Sequence, residues 1–267
     1  MRFQLGASTS VLAVLVLVAS ASGFGPSVRS AKNGKIAFQS TRGGNLDIYV
    51  MNADGTHQVR LTTSQADDCC RPVWSPDGRK IAFTSERDGN GEIYVMNADG
   101  NDQRRLTTNP ALDFFPSWSP DGRRIAFSRG QGQSFDVYVM NADGSGQRKL
   151  VSRALVPAWS SSGRTIAFVR VHGGTFSIHA MNADGTKQRR LTQGSDDTAP
   201  SWAPGGRRIA FQRQIAGKGA IHTMNADGTG QRRLFQARSN DGAPAWSPDG
   251  RMIAFSRVTG ENADSTS

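Results

Sequence analysis

Four histidines, two cysteines and a scattered set of aspartates are the side chains of this 267-residue chain best suited to chemistry. The histidines are His57, His172, His179 and His222, and His57 lies just past a hairpin turn. His179 and His222 occupy a slot that other copies of the same segment fill with Tyr49, Tyr94 and Tyr138, so they read as packing replacements for an aromatic ring. Neither a Gly-x-Ser-x-Gly elbow nor a His-Glu-x-x-His pair marks a nucleophile or a zinc-bound base. The recurrent Asn-Ala-Asp-Gly lacks the alternating carboxylates and distal glutamate of a calcium loop. The expectation is a protein without catalytic residues, metal or cofactor. Cys69 and Cys70 are adjacent; free thiols and a vicinal disulfide fit equally, and two neighbouring thiols alone make a poor zinc site.

The elements that would position these residues are repeated. Ile-Ala-Phe begins at Ile36, Ile81, Ile125, Ile166, Ile209 and Ile253, and Met-Asn-Ala-Asp-Gly at Met51, Met96, Met140, Met181 and Met224. A tryptophan keeps the same beat at Trp74, Trp118, Trp159, Trp202 and Trp246. A period of about 40–45 residues with several short strands in each copy is the signature of a β-propeller, an all-β fold whose blades stack to bury one another. Each copy reads as four strands: one through Pro-x-Trp-Ser, a second at Ile-Ala-Phe, a third such as Asp47–Met51, and a short fourth such as Gln103–Thr107. Ser-Pro-Asp-Gly and Asn-Ala-Asp-Gly supply the turns between them. The five tryptophans should fill equivalent sites at the ends of inner strands and form the structural core between blades. Six blade positions are favoured, with Pro26–Ala31 as a degenerate first inner strand and an incomplete last blade that exposes the edge of Met252–Arg257. Five blades closed through Pro244–Ser247 are the alternative.

Comparing the copies with one another separates constant positions from free ones. The two turn sequences hardly change and fall on one face of the disc. The loops approaching each tryptophan strand, on the opposite face, differ every time: Ser64–Arg71, Asn109–Phe115, Ser152–Val156, Gln193–Ala199 and Gln236–Ala243. Loops on a rigid scaffold are where binding usually resides. Asp67, Asp68, Asp113, Asp196, Asp197 and Asp241 each precede a blade tryptophan by five to seven residues, and should gather at one channel mouth as candidate partner-binding residues for a cationic peptide or protein loop. The bland alternative is solvated aspartates that start turns. The loop before Trp159 breaks the series with Arg153 and Ala154.

The run Pro-x-Trp-Ser-Pro-Asp-Gly-Arg-x-Ile-Ala-Phe, followed by Ile-Tyr-Val-Met-Asn-Ala-Asp-Gly and Arg-Arg-Leu-Thr, resembles the TolB-type propeller repeat over roughly residues 33–257. The resemblance is to the propeller alone, without the α/β domain that precedes it in TolB. It implies an exported, non-catalytic propeller that binds a protein or peptide over its variable-loop face. The alternative is a saccharide-active propeller enzyme, or the propeller portion of a prolyl-oligopeptidase-like peptidase, whose hydrolase domain would have to follow residue 257.

Arg2, the apolar run Val11–Ala19 and Ala19-Ser20-Ala21 read as a signal peptide over residues 1–21, with 22–32 a linker and 258–267 a flexible tail. As a helix the run would span about 14 Å, far short of a bilayer. The protein is therefore expected outside the cytoplasm, periplasmic or extracellular. The chain carries a net charge of +10, with basic pairs such as Arg104-Arg105 and Arg232-Arg233 in the fourth-strand slot. These protect outer edges and would give at most weak adhesion to anionic envelope surfaces. Nucleic acid is not an expected partner, because no aromatic stacking platform accompanies the arginines.

Overall fold

The computed structural model describes residues 17–18, 34–132, 134–193, 196–234 and 240–258. Among them there are only strands and turns. β1 (Leu17–Val18) is followed by a three-stranded sheet of β2 (Lys35–Ser40), β3 (Asp47–Asn52) and β4 (Val59–Arg60). The second sheet contains β5 (Asp68–Trp74), β6 (Lys80–Ser85), β7 (Glu92–Asn97) and β8 (Arg104–Arg105). The third contains β9 (Leu112–Trp118), β10 (Arg124–Gln131), β11 (Ser134–Asn141) and β12 (Arg148–Val151). The fourth is β13 (Ala154–Trp159), β14 (Thr165–His172), β15 (Thr175–Asn182) and β16 (Arg189–Arg190), and the fifth β17 (Asp197–Trp202), β18 (Arg208–Ile215), β19 (Lys218–Asn225) and β20 (Arg232–Arg233). In the sixth, β21 (Asn240–Trp246) and β22 (Met252–Val258) are joined by β1, which pairs Leu17 with Ile253 and Val18 with Met252.

Each sheet is an antiparallel meander and each is a blade. The tryptophan strands β5, β9, β13, β17 and β21 pack against one another in series, each also lying on the second strand of the preceding blade. Ile-Ala-Phe is buried on both of its faces for this reason: Ile81, Ala82 and Phe83 are fully enclosed, as are Ile166, Ala167 and Phe168. Each tryptophan closes its inner strand opposite the isoleucine of Ile-Ala-Phe, as in Trp118 opposite Ile125. Its ring packs into the preceding blade: Trp118 against Ala82, Ile93 and Val95, and Trp159 against Ala126, Val137 and Val139. Trp118 and Trp159 are buried, whereas Trp74, Trp202 and Trp246 are half-buried.

Neighbouring blades are also stitched through the Asn-Ala-Asp-Gly turn. Gln103 and Gln147 donate side-chain hydrogen bonds to Leu61 and Leu106, each in the blade before. Gly144, at φ 93°, approaches so closely that a Cβ there would sit 2.7 Å from the Leu106 carbonyl oxygen. Glycine is required on both counts.

Five blades carry a tryptophan strand, and β2–β4 occupies a sixth position without one among the described residues. Ile36–Phe38 pairs with β3, and the Trp246 strand pairs with β22. Among the described residues the sheets number six and the tryptophan-headed blades five, and Pro244–Trp246 pairs with β22 rather than closing onto Ile36–Phe38. The expected first inner strand Pro26–Ala31, most of residues 1–33, and residues 259–267 lie outside the described residues.

Candidate functional site

The two ends of the disc are built differently. At the turn end each Ser-Pro-Asp-Gly closes on itself: the Ser75 hydroxyl donates to Asp77 at 2.5 Å, and Asp77 accepts the Arg79 N–H. Asp121 and Asp249 repeat this arrangement. In Asn-Ala-Asp-Gly, Asp54, Asp143, Asp184 and Asp227 accept both the hydroxyl and the N–H two residues on. These hydrogen bonds favour the charged form and hold the carboxyls below their usual range. An open cleft of about 500 Å³ between the second and third blades is lined by two copies of the same turn, including Asp77, Asp121 and Trp118. Its repeated lining makes it part of the scaffold.

At the opposite end the six aspartates separate into two groups. Asp68, Asp113, Asp197 and Asp241 are fully buried at the start of inner strands. Asp113 accepts from Arg129 Nε and Nη2 at 2.8 and 2.8 Å, Asp197 from Arg213 at 2.7 and 2.9 Å, and Asp241 from Arg257 at 2.7 and 3.0 Å. Asp68 receives Arg87 Nη2 on both oxygens, at 3.0 and 2.9 Å. These are side-on or bifurcated charge-assisted pairs of the strong kind, and their charges are spent inside the blade. Asp67 and Asp196 are half-buried and accept the backbone N–H of Leu46 and Phe176. The structure thus places all six on one end, four of them as internal counter-ions.

A second acid–base pair lies further out. Arg60 pairs with buried Asp47 at 2.6 Å, Arg105 with buried Glu92 at 2.7 Å, and Lys149 with Asp136 at 3.2 Å. The fourth blade has neither pair. Ala154 stands where the buried aspartate would be and Ser177 where Asp47, Glu92 and Asp136 are. These outer pairs were missed in the sequence, although Asp47, Glu92 and Asp136 recur in the same third-strand slot of the first three blades.

Cys69 and Cys70 are joined as a vicinal disulfide on β5. Next to it Arg71 is half-buried with φ 65° and donates its backbone N–H to Gln39 Oε1 at 3.3 Å; its guanidinium makes no hydrogen bond or ion pair among the described residues and is drawn down by desolvation to a pKa of about 10. Phe115, Val156, Ala199 and Ala243 adopt the same left-handed backbone before the proline of their own inner strands. That bulge shifts the ladder register in every tryptophan-headed blade.

His179 and His222 lie against Phe168 and Phe211 with ring centroids 5.6 Å apart, as Tyr138 lies against Phe127 at 5.9 Å. Burial, then the charges of Arg170 and Arg190, pull His179 down to a pKa of about 4. Among the described residues no group of three or more histidines, cysteines and acids converges as a metal site.

The family model described as the TolB beta propeller domain matches residues 13–93 and 69–249. The chain belongs to the TolB β-propeller family. Solved structures of similar shape include a putative TolB from Agrobacterium tumefaciens, 25% identical, with a TM-score of 0.74 over 87% of this chain and 88% of that one. TolB from Acinetobacter baumannii is 18% identical, with a TM-score of 0.72 over 84% of this chain and 64% of that one. An oligogalacturonate lyase in complex with manganese is 12% identical, with a TM-score of 0.59 over 87% and 88%. At these lower identities the likeness is one of fold alone. No curated protein matches the sequence.

Proposed function

We propose that this TolB-family propeller is exported and binds a protein or peptide over the face bearing its approach loops, without catalysing a reaction. The observation that carries this reading is the asymmetry of the disc. One end repeats the same self-closed turns, while the other presents a different loop at each blade on a rigid support. The buried acids Asp47, Asp68, Glu92, Asp113, Asp197 and Asp241 are all engaged by arginines, which favours a structural role for them over general acid–base work. Asp67 and Asp196 are the approach-loop acids left for a cationic group on the partner.

Export rests on the signal-like N-terminus. Cleavage after Ala21 would also take Leu17–Val18 away from β22 and leave that strand open for pairing. N-terminal sequencing of protein recovered from outside the cytoplasm should give a start at or near Ser22; retention of residues 1–21 would refute the cleavage. Partner binding is tested by pull-down from the native envelope fraction alongside a turnover assay on glycan and peptide panels. A specific captured protein without turnover is the expected result. Turnover of a glycan or peptide that persists through purification would overturn the non-catalytic reading.

A further inference from the structure

The fourth blade retains the arginine of the buried pair and lacks its acid. Ala154 faces Arg170 across the ladder, as Asp197 faces Arg213 and Asp241 faces Arg257. Arg170 keeps the rest of the arrangement: its Nη2 donates to Gln188 at 2.7 Å, as Arg129 does to Gln147 and Arg213 to Gln231, and its guanidinium lies 5.6 Å from the Phe168 ring. Its Nε, which in the third, fifth and sixth blades donates to the aspartate, is buried without a hydrogen-bond partner among the described residues. A buried donor left unpaired is costly. The outer acid is missing too: Arg190 donates Nε to the Thr192 carbonyl, as Arg60 and Arg105 do to Thr62 and Thr107, but unlike them it meets no carboxylate among the described residues. Arg153, immediately before Ala154, is exposed, and its backbone N–H is held by Asp136. Arg170 and Arg190, both near enough to His179 to act on its ring, and Arg153, which adjoins Ala154 in the chain, thus make no ion pair with a carboxylate of their own blade among the described residues, on the face where the approach loops lie.

We propose that this position takes an aspartate side chain from an acidic segment of the protein partner, which completes on Arg170 the pair that the other blades make internally. The inference rests on the partner-binding reading above and specifies the chemistry of one contact. An aspartate is favoured because the sister blades show what the guanidinium edge accepts: a carboxylate on a short stem, one oxygen on Nε and one on Nη2. The Nη2–Gln188 bond is solvent-exposed, so the carboxylate has a route to that edge from outside, and Arg153 adds attraction at the rim.

The test uses the purified mature propeller and a labelled pentapeptide, acetyl-Gly-Gly-Asp-Gly-Gly-amide, with its asparagine counterpart and trigalacturonate as controls. Fluorescence anisotropy at low salt should show the aspartate peptide binding at least tenfold more tightly than the asparagine one. Arg170→Gln and Ala154→Asp should each weaken it at least tenfold. The Arg170 Nε–H resonance should shift with the aspartate peptide and not with the asparagine peptide. Ala154→Asp is the decisive variant, because it recreates the sister-blade pair and should melt no lower than the parent while blocking the site from within. Equal binding of the two peptides, no binding by the parent protein, or undiminished binding by Ala154→Asp would overturn the proposal. So would binding of trigalacturonate alone, which would assign the position to an acidic saccharide. An envelope protein captured equally by the parent and by Ala154→Asp removes this site while leaving the face-binding reading intact. Peptide binding that follows the expected pattern without envelope capture supports the site and counts against that reading.

Discussion

The third and fourth blades share a backbone plan and differ in their charges. Each runs four antiparallel strands, ends its inner strand in a buried tryptophan, and closes on the preceding blade with a glycine turn. The third blade neutralises Arg129 with Asp113 and Lys149 with Asp136. The fourth carries Arg170 and Arg190 with Ala154 and Ser177 opposite. Packing thus belongs to the repeat as a whole, whereas electrostatics is assigned blade by blade.

The packing half of the comparison predicts the largest effects and predicts them to be equal. Trp118→Ala and Trp159→Ala each remove a buried indole from between two blades, at a cost of roughly 3–5 kcal/mol. Denaturant unfolding of the two variants should agree within experimental error. A twofold disparity in their losses would show that the blades are not packed equivalently.

The charge half predicts a difference. Asp113→Ala strands the Arg129 guanidinium, whose side chain is only 16% exposed, and should cost about 3 kcal/mol. Arg170→Ala removes an arginine that has no acid to lose and should cost under about 1 kcal/mol. Equal costs for the two substitutions would mean that the buried pairs contribute nothing beyond the packing of their aliphatic stems.

The tryptophans and Ile-Ala-Phe strands were legible in the sequence because one side chain per period reports one repeated environment. The fate of the aspartates was not. Reading the inner strand from Pro-x-Trp places Asp113 and Asp197 in approach loops, but β9 begins at Leu112 and β17 at Asp197 itself. The strand starts earlier because a left-handed residue before the proline (Phe115, Ala199) lets the ladder continue across the bulge, and no sequence rule marks that conformation for a non-glycine residue. One clue was available. An arginine two residues after Ile-Ala-Phe lies 16 positions beyond Asp113, Asp197 and Asp241, a spacing that matches a cross-strand pair over the Ser-Pro-Asp-Gly or Ala-Pro-Gly-Gly turn.

A smaller and again matched effect is expected at the blade junctions. Gly144→Ala and Gly185→Ala each place a methyl group 2.7–2.8 Å from a carbonyl oxygen of the preceding blade, at φ 93° and 96°. Each should cost on the order of 1–3 kcal/mol, since strained backbone and close approach act together. Melting temperatures of the two variants should fall in parallel. A neutral result at either position would show that the junction can relax.

The smallest effect separates the blades by pH. The same slot holds Tyr138 in the third blade and His179 in the fourth. Folding desolvates the imidazole and sets it beside Arg170 and Arg190, which holds its pKa at about 4 against the usual value near 6.5. Between those values the unfolded chain binds a proton that the folded chain refuses, so stability rises with pH across this window. The contribution of neutral His179 is complete above about pH 6.5 and is lost progressively as the solution is acidified toward pH 4. His179→Phe keeps the ring stack on Phe168 and removes the titration. Its melting temperature should therefore drop less than the parent's between pH 7 and pH 5. Some slope will remain, because burial also lowers the pKa of His222 in the fifth blade. Ala154→Asp offers the converse test: a carboxylate beside Arg170 offsets part of the positive field, so His179 should titrate at higher pH in that variant. A histidine resonance that titrates identically in the parent and in Ala154→Asp would show that the unbalanced arginines of the fourth blade do not act on the ring.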